Sequence, residues 1–265
     1  MPRTYSTRPK IQEIKIQKGK KQKFQKRLLK WYSEFGRDLP WRRTADPYKI
    51  LVSEIMLQQT QVDRVIPKFH EFLAKYPNIQ ALSQASPEEV RKTWYPLGYN
   101  VRPYRLREIA CESVERYGGT MPRNERELLS MKGIGRYTAG AIRSFAFNQD
   151  APILDTNVMR VLFRVFWGEG DPKKHKNQLW IMSKQLIPRG RGYDFNQALM
   201  DFGAMVCSAR KPTCLICPMR NICRVYSPQG TIERVPLSIP KLWWQLELLN
   251  TRERYLSPKE EREHT

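Results

Sequence analysis

Four cysteines near the end of the sequence form the group whose chemistry is easiest to recognise. They are Cys207, Cys214, Cys217 and Cys223, and their spacing is C-x6-C-x2-C-x5-C. Thiolates this close in sequence can surround one metal centre, and in a reducing compartment they do not pair as disulfides. Four thiolates suit zinc and also an iron–sulfur cluster, so ligand chemistry leaves both open. The fifth cysteine, Cys111, lies in a helical pattern and is expected to be a small buried residue.

A glycine turn in the middle of the chain leads directly into a helix of small residues. The turn is Gly133-Ile134-Gly135, with Lys132 before it and Arg136 after it. Backbone N–H groups at the start of such a helix, together with the helix dipole, favour an anion such as phosphate. A phosphate gripped in this way is bound without regard to base sequence. A dinucleotide-binding loop is excluded, since it needs a preceding strand and a third glycine; a plain helix–helix corner remains the alternative.

These motifs resemble the endonuclease III and MutY superfamily of DNA glycosylases. NQALMDFGAMVCSARKPTCLICPMRNIC is similar to its 4Fe–4S loop, and MKGIGRYTA to its helix-hairpin-helix, with Lys132 replacing the usual proline. The resemblance covers roughly Leu28 to Val225 and is closest to the catalytic part of the MutY branch. It implies a structural, redox-active 4Fe–4S cluster on the four cysteines. It also implies that Arg210, Lys211 and Arg220 face DNA.

The resemblance assigns chemical roles to four residues in the removal of a base from DNA. Glu54, in VSEIMLQQTQV, would protonate the departing base, which near neutral pH requires a carboxyl group desolvated by its apolar neighbours. Asp155 would stabilise the cationic sugar, and a helix N-cap position predicts that it stays ionised. Asn157 matches the Asp-Gly-Asn pattern of the MutY branch, although Thr156 replaces the glycine. Tyr137 would help to position Asp155 and the attacking water.

Tyr137 also bears on whether the strand is cut. Strand-cleaving members of the superfamily carry a lysine at this position that forms a Schiff base with the sugar, and tyrosine has no amine. The sequence therefore predicts hydrolysis that leaves an intact abasic site. Two alternatives to these catalytic roles remain open. Tyr137 could be an ordinary helix residue, and Glu54 could be a solvated carboxylate on a helix.

Residues of two further segments are expected to enter the DNA. Gln58, Gln59 and Gln61 match the MutY loop beside the flipped base, with Gln59 at the wedging position. Tyr99 matches a second inserted residue, although its usual tyrosine neighbour is Asn100 here. Extruding a base costs a few kcal/mol, roughly, and least at a mispair, which favours mismatched targets.

The elements that must position these residues are helices. Apolar residues recur at helical spacing, and no hairpin or internal repeat is evident. Helix signals include Ser86-Pro at a start, Gly118-Gly119 at an end, and Asp155 at a further start. The expected fold is all-α, and the resemblance implies two helical lobes, a six-helix barrel with the helix-hairpin-helix and an iron–sulfur cluster lobe, with a DNA cleft between them.

The sequence also suggests how the chain is divided. The predicted parts are a mobile basic arm at 1–27, the barrel at 48–153, the cluster domain at 28–47 and 154–226, and a C-terminal tail at 227–265. No apolar run is long enough to span a membrane, and the N-terminus lacks the apolar core of a secretory signal. With four of five cysteines clustered, we expect an intracellular protein.

The charge of the chain indicates its partner. The 265 residues carry 47 Lys and Arg against 26 Asp and Glu, a net charge of +21. Such an excess indicates a polyanionic partner. With the resemblance, the expected partner is double-stranded DNA that contains a mismatch or damaged base. The protein is expected to be a monomer, and no membrane is expected as a partner.

Three functions are consistent with these features. The first is a monofunctional adenine glycosylase acting on G·A or 8-oxoguanine·A pairs. The second is a thymine/uracil mismatch glycosylase for G·T or G·U, because MutY enzymes usually continue into a large 8-oxoguanine-recognising domain and only 38 residues follow Ser227 here. The third is a non-catalytic iron–sulfur protein that binds DNA.

Overall fold

The computed structural model describes residues 15–226, and within that range the chain is helical with no β-strand. This confirms the predicted all-α class. The first 14 residues of the predicted arm and the whole predicted tail lie outside the described residues. The α-helices of this range are α1 (Lys18–Phe35), α2 (Pro47–Leu57), α3 (Val62–Lys75), α4 (Ile79–Gln84), α5 (Pro87–Trp94), α6 (Val101–Tyr117), α7 (Glu125–Ser130), α8 (Arg136–Phe145), α9 (Thr156–Leu162), α10 (Lys176–Leu186) and α11 (Gly192–Met205). None of them is both long and apolar enough to cross a bilayer.

Residues 37–153 form one compact unit that contains α2 to α8. Helix α2 lies at its centre, where it packs against α3, α6 and α8. The core is formed by side chains from all parts of the unit, among them Trp41, Leu51, Ile55, Phe72, Trp94, Leu106, Ile109 and Ile142.

Local signals set the ends of the helices in this unit. Ser86 accepts a hydrogen bond from the backbone N–H of Glu89, whose side chain accepts from the backbone of Ser86 in return, a capping box at the start of α5. Gly118 ends α6 in the left-handed region at φ 61°, which a glycine adopts without a steric penalty. Both boundaries confirm the sequence-based predictions.

Residues 15–36 and 154–226 form a second compact unit in which α1 packs against α11, and α11 against α9. Helix α1 begins at Lys18, so it extends well into the segment that the sequence assigned to a mobile arm. The reason is that Phe24, Leu28 and Trp31 lie on one face and are buried. Trp31, for example, meets the ring of Phe202 on α11 edge-on at 5.3 Å.

The loop that runs from residue 37 to α2 belongs to the unit of residues 37–153. The sequence had assigned this loop, as part of 28–47, to the cluster domain. Leu39 and Trp41 are buried in the core of that unit, and the indole of Trp41 lies 5.6 Å from the ring of Phe69 on α3. Two apolar side chains in a short loop therefore decide which core the loop joins.

Candidate active site

Glu54 is carried by a helix that is buried almost throughout. Asp46 caps the start of α2 by accepting from the backbone N–H of Tyr48 at 2.9 Å, and Pro47 occupies the first turn. The Glu54 side chain is 6% exposed and is surrounded in sequence by the fully buried Val52 and Ile55. The burial expected from its apolar neighbours is therefore present.

The glycine turn joins α7 to α8 as expected. Gly133 has φ 99°, a left-handed conformation that strains any other residue, and Ile134 N–H donates to the carbonyl of Met131 at 3.1 Å. The turn is also tied to α6, since the backbone N–H of Lys132 donates to Glu112 Oε2 at 3.1 Å. Gly135 caps α8 with extended backbone.

The small residues of α8 allow the backbone at Pro152 to approach this helix very closely. A Cβ atom at Gly140 would lie 2.2 Å from the carbonyl oxygen of Pro152. Tyr137 is half-buried on the first turn of α8, while the side chains of Lys132 and Arg136 are exposed. Because α8 packs on α2, Glu54 and Tyr137 lie on adjoining helices of the same unit.

Asp155 belongs to the other unit, where it caps α9. Its Oδ1 accepts from the backbone N–H of Val158 at 2.6 Å, which confirms the predicted N-cap. Asp155 as a whole residue is half-buried, and desolvation of its carboxyl group raises the pKa of Asp155 above its usual 3.8, against the lowering effects of the Val158 N–H, Arg160 and Asn157. Burial therefore outweighs the cap, whereas the sequence-based expectation considered the cap alone.

A chain of hydrogen bonds continues from Asp155 into the protein. Asn157 Nδ2 donates to Asp155 Oδ2 at 3.3 Å, and Arg160 Nη2 donates to Asn157 Oδ1 at 2.7 Å. The Nε of Arg160 donates to the backbone carbonyl of Cys207 at 2.8 Å. Arg160 was not predicted from the sequence, although its position three residues after Asn157 places both side chains on one helix face.

The glutamine loop follows α2 directly. Gln58 and Gln59 are half-buried and Gln61 is exposed. Gln59 has left-handed backbone at φ 56°, and within residues 15–226 no hydrogen-bonding partner meets its buried Nε2. Tyr99, in the loop before α6, is also left-handed at φ 50°, and its side chain is 49% exposed.

Both loops are bonded to Arg102 on the first turn of α6, a residue that the sequence analysis did not single out. Its side chain is 1% exposed. The sequence does give a weak indication of its role. A positive charge in the first turn of a helix is unfavourable because of the helix dipole, so an arginine at this position suggests a compensating interaction.

The four clustered cysteines are partly buried free thiols on the segment after α11. Burial, together with the neighbouring thiols of Cys207, Cys223 and Cys214, raises the pKa of the Cys217 thiol to about 12. Within residues 15–226, however, no three His, Cys, Asp or Glu side chains are grouped tightly enough to hold a single metal ion.

The basic residues assigned to this loop are all exposed: Arg210, Lys211 and Arg220. Arg220 also has a local partner, since its Nη1 donates to the carbonyl of Leu215 at 3.0 Å. The other two side chains extend from the segment between Cys207 and Cys214.

Comparison with known proteins identifies relatives of the chain. Residues 52–184 match the family described as HhH-GPD superfamily base excision DNA repair protein. The chain is 43% identical over 226 residues to the adenine DNA glycosylase of Mus musculus, covering 80% of this chain and 44% of that protein. It is 36% identical over 219 residues to the thymine-DNA glycosylase of Aeropyrum pernix, covering 80% of this chain and 98% of that protein.

A solved structure shows the same fold. A thermostable thymine-DNA glycosylase superposes with a TM-score of 0.74 at 35% identity, over 78% of this chain and 97% of the other. The chain spans less than half the length of the mouse protein, and nearly the whole length of the archaeal one.

Proposed function

Because the chain belongs to the HhH-GPD superfamily of base excision DNA repair proteins, we propose that it is a monofunctional adenine DNA glycosylase acting on G·A or 8-oxoguanine·A pairs. The observation that carries this proposal is the buried Glu54 at the end of α2, followed directly by the glutamine loop. Its support from relatives is the 43% identity to a mammalian adenine DNA glycosylase.

In the proposed reaction Glu54 would donate a proton to a ring nitrogen of the flipped adenine. The C–N bond then breaks with its electron pair passing to the base, and the sugar becomes oxocarbenium-like. The carboxylate of Asp155 would stabilise that positive charge, held in orientation by the side chain of Asn157. Water would then add to the sugar carbon and lose a proton, which the Glu54 carboxylate can accept, and an abasic site would remain.

Strand cleavage by a Schiff base is not expected. Tyr137 occupies the first turn of α8, next to the glycine turn, and its phenol supplies no amine for attack on the sugar. Breaks in the strand would therefore arise only when the abasic product is treated with alkali.

We also propose that Cys207, Cys214, Cys217 and Cys223 hold a 4Fe–4S cluster. The support is the spacing of the four cysteines within a short segment of the sequence, and ligand type alone would also suit zinc. The cluster would order the loop that carries Arg210 and Lys211. Metal and acid-labile sulfide analysis of purified protein should give about four irons and about four sulfides per chain; one zinc per chain would refute the cluster.

Contacts with DNA are proposed at three places. The N–H groups around Gly133 and Gly135, with Lys132 and Arg136, would grip a phosphate. The residues entering the base stack would be those of the glutamine loop and Tyr99, and Arg210, Lys211 and Arg220 would contact the backbone.

Removal of thymine or uracil from G·T and G·U pairs is the second candidate. The observation that favours it is that the chain spans 98% of the archaeal thymine-DNA glycosylase, and Glu54 is compatible with either base.

Base release from labelled duplexes decides between the candidates. Duplexes bearing G·A, 8-oxoguanine·A, G·T and G·U would be incubated with the protein and analysed with and without alkali. Release of adenine, with breaks only after alkali, is the expected result. Release of thymine or uracil alone would replace the proposal by the second candidate, and release of no base would leave a DNA-binding protein without this activity.

A further inference from the structure

The guanidinium of Arg102 joins two separate segments of the chain. On the side of α2, Nη1 lies 3.1 Å from the carbonyl of Ile55, 2.8 Å from that of Met56 and 2.5 Å from that of Gln58. Nη2 lies 3.1 Å from Thr60 Oγ1 in the glutamine loop. On the other side Nη2 lies 3.2 Å from the carbonyl of Leu97 and 3.0 Å from that of Gly98.

This guanidinium is also enclosed by two aromatic rings. Its central carbon lies 5.2 Å from the centroid of Trp94 and 5.2 Å from that of Tyr99, within the range of cation–π attraction. Burial lowers the pKa of Arg102 to about 10, so the group stays charged near neutral pH. A buried charge persists when it is hydrogen-bonded, and here Nη1 and Nη2 bond to two loops at once, while the buried Nε has no partner among the described residues.

Each of the two loops contains a residue in a strained backbone conformation. Gln59 and Tyr99 are both left-handed without being glycine, at φ 56° and φ 50°. Such residues persist when the surrounding structure over-determines them, and they cluster at functional sites. The exposed rings of Tyr95 and Tyr99, at 77% and 49%, stand at this surface as planar groups on which bases can stack.

We infer that Arg102 is a positioning residue, which locks the glutamine loop and the Tyr99 loop in one arrangement before DNA binds. The inference rests on the proposed function, in which residues of both loops enter the base stack around the extruded base. Loops that are already ordered lose little further freedom on insertion, so more of the binding free energy is available for extruding the base. Loss of Arg102 would therefore impair base extrusion more than DNA binding.

The matched variants are Arg102→Lys and Arg107→Lys. Both replace an arginine of α6 that donates to backbone carbonyls, but Arg107 bonds to Ala85 and Ser83, away from the two loops. Lysine keeps the charge and loses the planar fork that reaches several acceptors. Thr60→Val is a milder third variant, since it removes one acceptor of Arg102 at nearly constant volume.

Extrusion is measured with 2-aminopurine in place of the target base, because its fluorescence rises when the base leaves the stack. At saturating protein we expect Arg102→Lys to reduce the fluorescence rise at least about twofold, with less than about a threefold change in DNA affinity. Single-turnover base release should fall about 10- to 100-fold, as misplaced groups near reacting atoms allow. Thr60→Val should reduce the fluorescence rise and the rate of base release by smaller factors. Arg107→Lys should behave as wild type.

The outcomes separate this inference from the proposed function. Wild-type fluorescence and base release in both Arg102→Lys and Thr60→Val would overturn the inference, as would equal losses in Arg102→Lys and Arg107→Lys. If Arg102→Lys does not fold, Thr60→Val alone decides in the same way. A wild-type protein that extrudes 2-aminopurine in an Arg102-dependent manner but releases no adenine would refute the proposed function and leave the inference standing.

Discussion

At Asp155 two physical effects act on the same carboxyl group in opposite directions. The helix N-terminus and the Val158 N–H favour the charged form, while burial disfavours it and prevails. A charged carboxylate held in a poorly solvated place interacts strongly with a cation that forms beside it, because water screens the pair less. The raised pKa of Asp155 is therefore compatible with the proposed stabilisation of a cationic sugar.

Replacing Asp155 by asparagine separates its capping role from its charge. Asparagine caps helices about as well as aspartate, so the free energy of unfolding should not fall by more than about 1 kcal/mol. Single-turnover base release should fall by about 100-fold or more, the effect of removing one preorganised electrostatic group. Stability by denaturant titration and base release by gel assay check the two parts, and undiminished base release would refute the role of Asp155.

The same pair of proteins tests the direction of the pKa shift. Because the folded-state pKa of Asp155 lies above its usual 3.8, the folded protein keeps this proton to higher pH than the unfolded chain. The contribution to stability is complete below pH 3.8 and is lost as the pH rises through the folded pKa. The unfolding free energy of Asp155→Asn should thus gain on that of wild type as the pH rises above 3.8, in urea titrations at a series of pH values. A gain toward lower pH instead would show that the pKa is depressed.

How much of this site the sequence predicts depends on the range of the interactions. The Asp155 cap and the burial of Glu54 follow from neighbours in sequence, so pattern alone predicts them. The desolvation of Asp155 depends on how the folded chain packs around its carboxyl group, so pattern alone could not predict it. Arg102 and Arg160 were missed because an arginine is usually a surface residue, and nothing local reveals the carbonyls that surround these two.

At the level of elements, close packing of α8 gives a stability prediction. A methyl group at Gly140 would collide with the rigid backbone carbonyl of Pro152, so Gly140→Ala should lower the free energy of unfolding by about 1 to 3 kcal/mol. The matched control is Gly19→Ala on α1, where a Cβ meets nothing within 4 Å. That change should raise stability by up to about 1 kcal/mol, since alanine favours helix. Equal effects of the two in urea titrations would mean that close packing at Gly140 does not decide the sign.

The helices that the sequence predicted well are those whose ends carry local start or stop signals. Helices with an explicit start or stop, such as α5 after Ser86 and α6 before Gly118, were predicted close to their observed ends. The six-residue α4 was missed because it offers less than two turns of pattern, and its Asn78 cap looks like a loop residue. The start of α1 was missed because its lysines outnumber the apolar residues that bury its one face.

At the scale of the whole molecule, charge predicts a class of partner but not where the partner is bound. A net charge of +21 predicted a nucleic acid, and the matched relatives are DNA glycosylases. The excess of basic residues is spread along the chain and includes α1. Lys23 and Lys26 of that helix are exposed, as are Arg210 and Lys211. Distinguishing a DNA-facing surface from a merely solvated one therefore needs an experiment that removes equal charge from each.

The salt dependence of DNA affinity is such an experiment. Each phosphate contact contributes a slope of about 0.9 to the fall of log affinity with log salt concentration, because bound counterions are released. Arg210→Gln with Lys211→Gln should reduce the slope by up to about 2, whereas Lys23→Gln with Lys26→Gln should leave it unchanged. Both double variants lower the net charge by two, so a difference between them reports location. Equal reductions would mean that Arg210 and Lys211 contribute no more to phosphate binding than Lys23 and Lys26 do, which contradicts a special role for the cysteine loop.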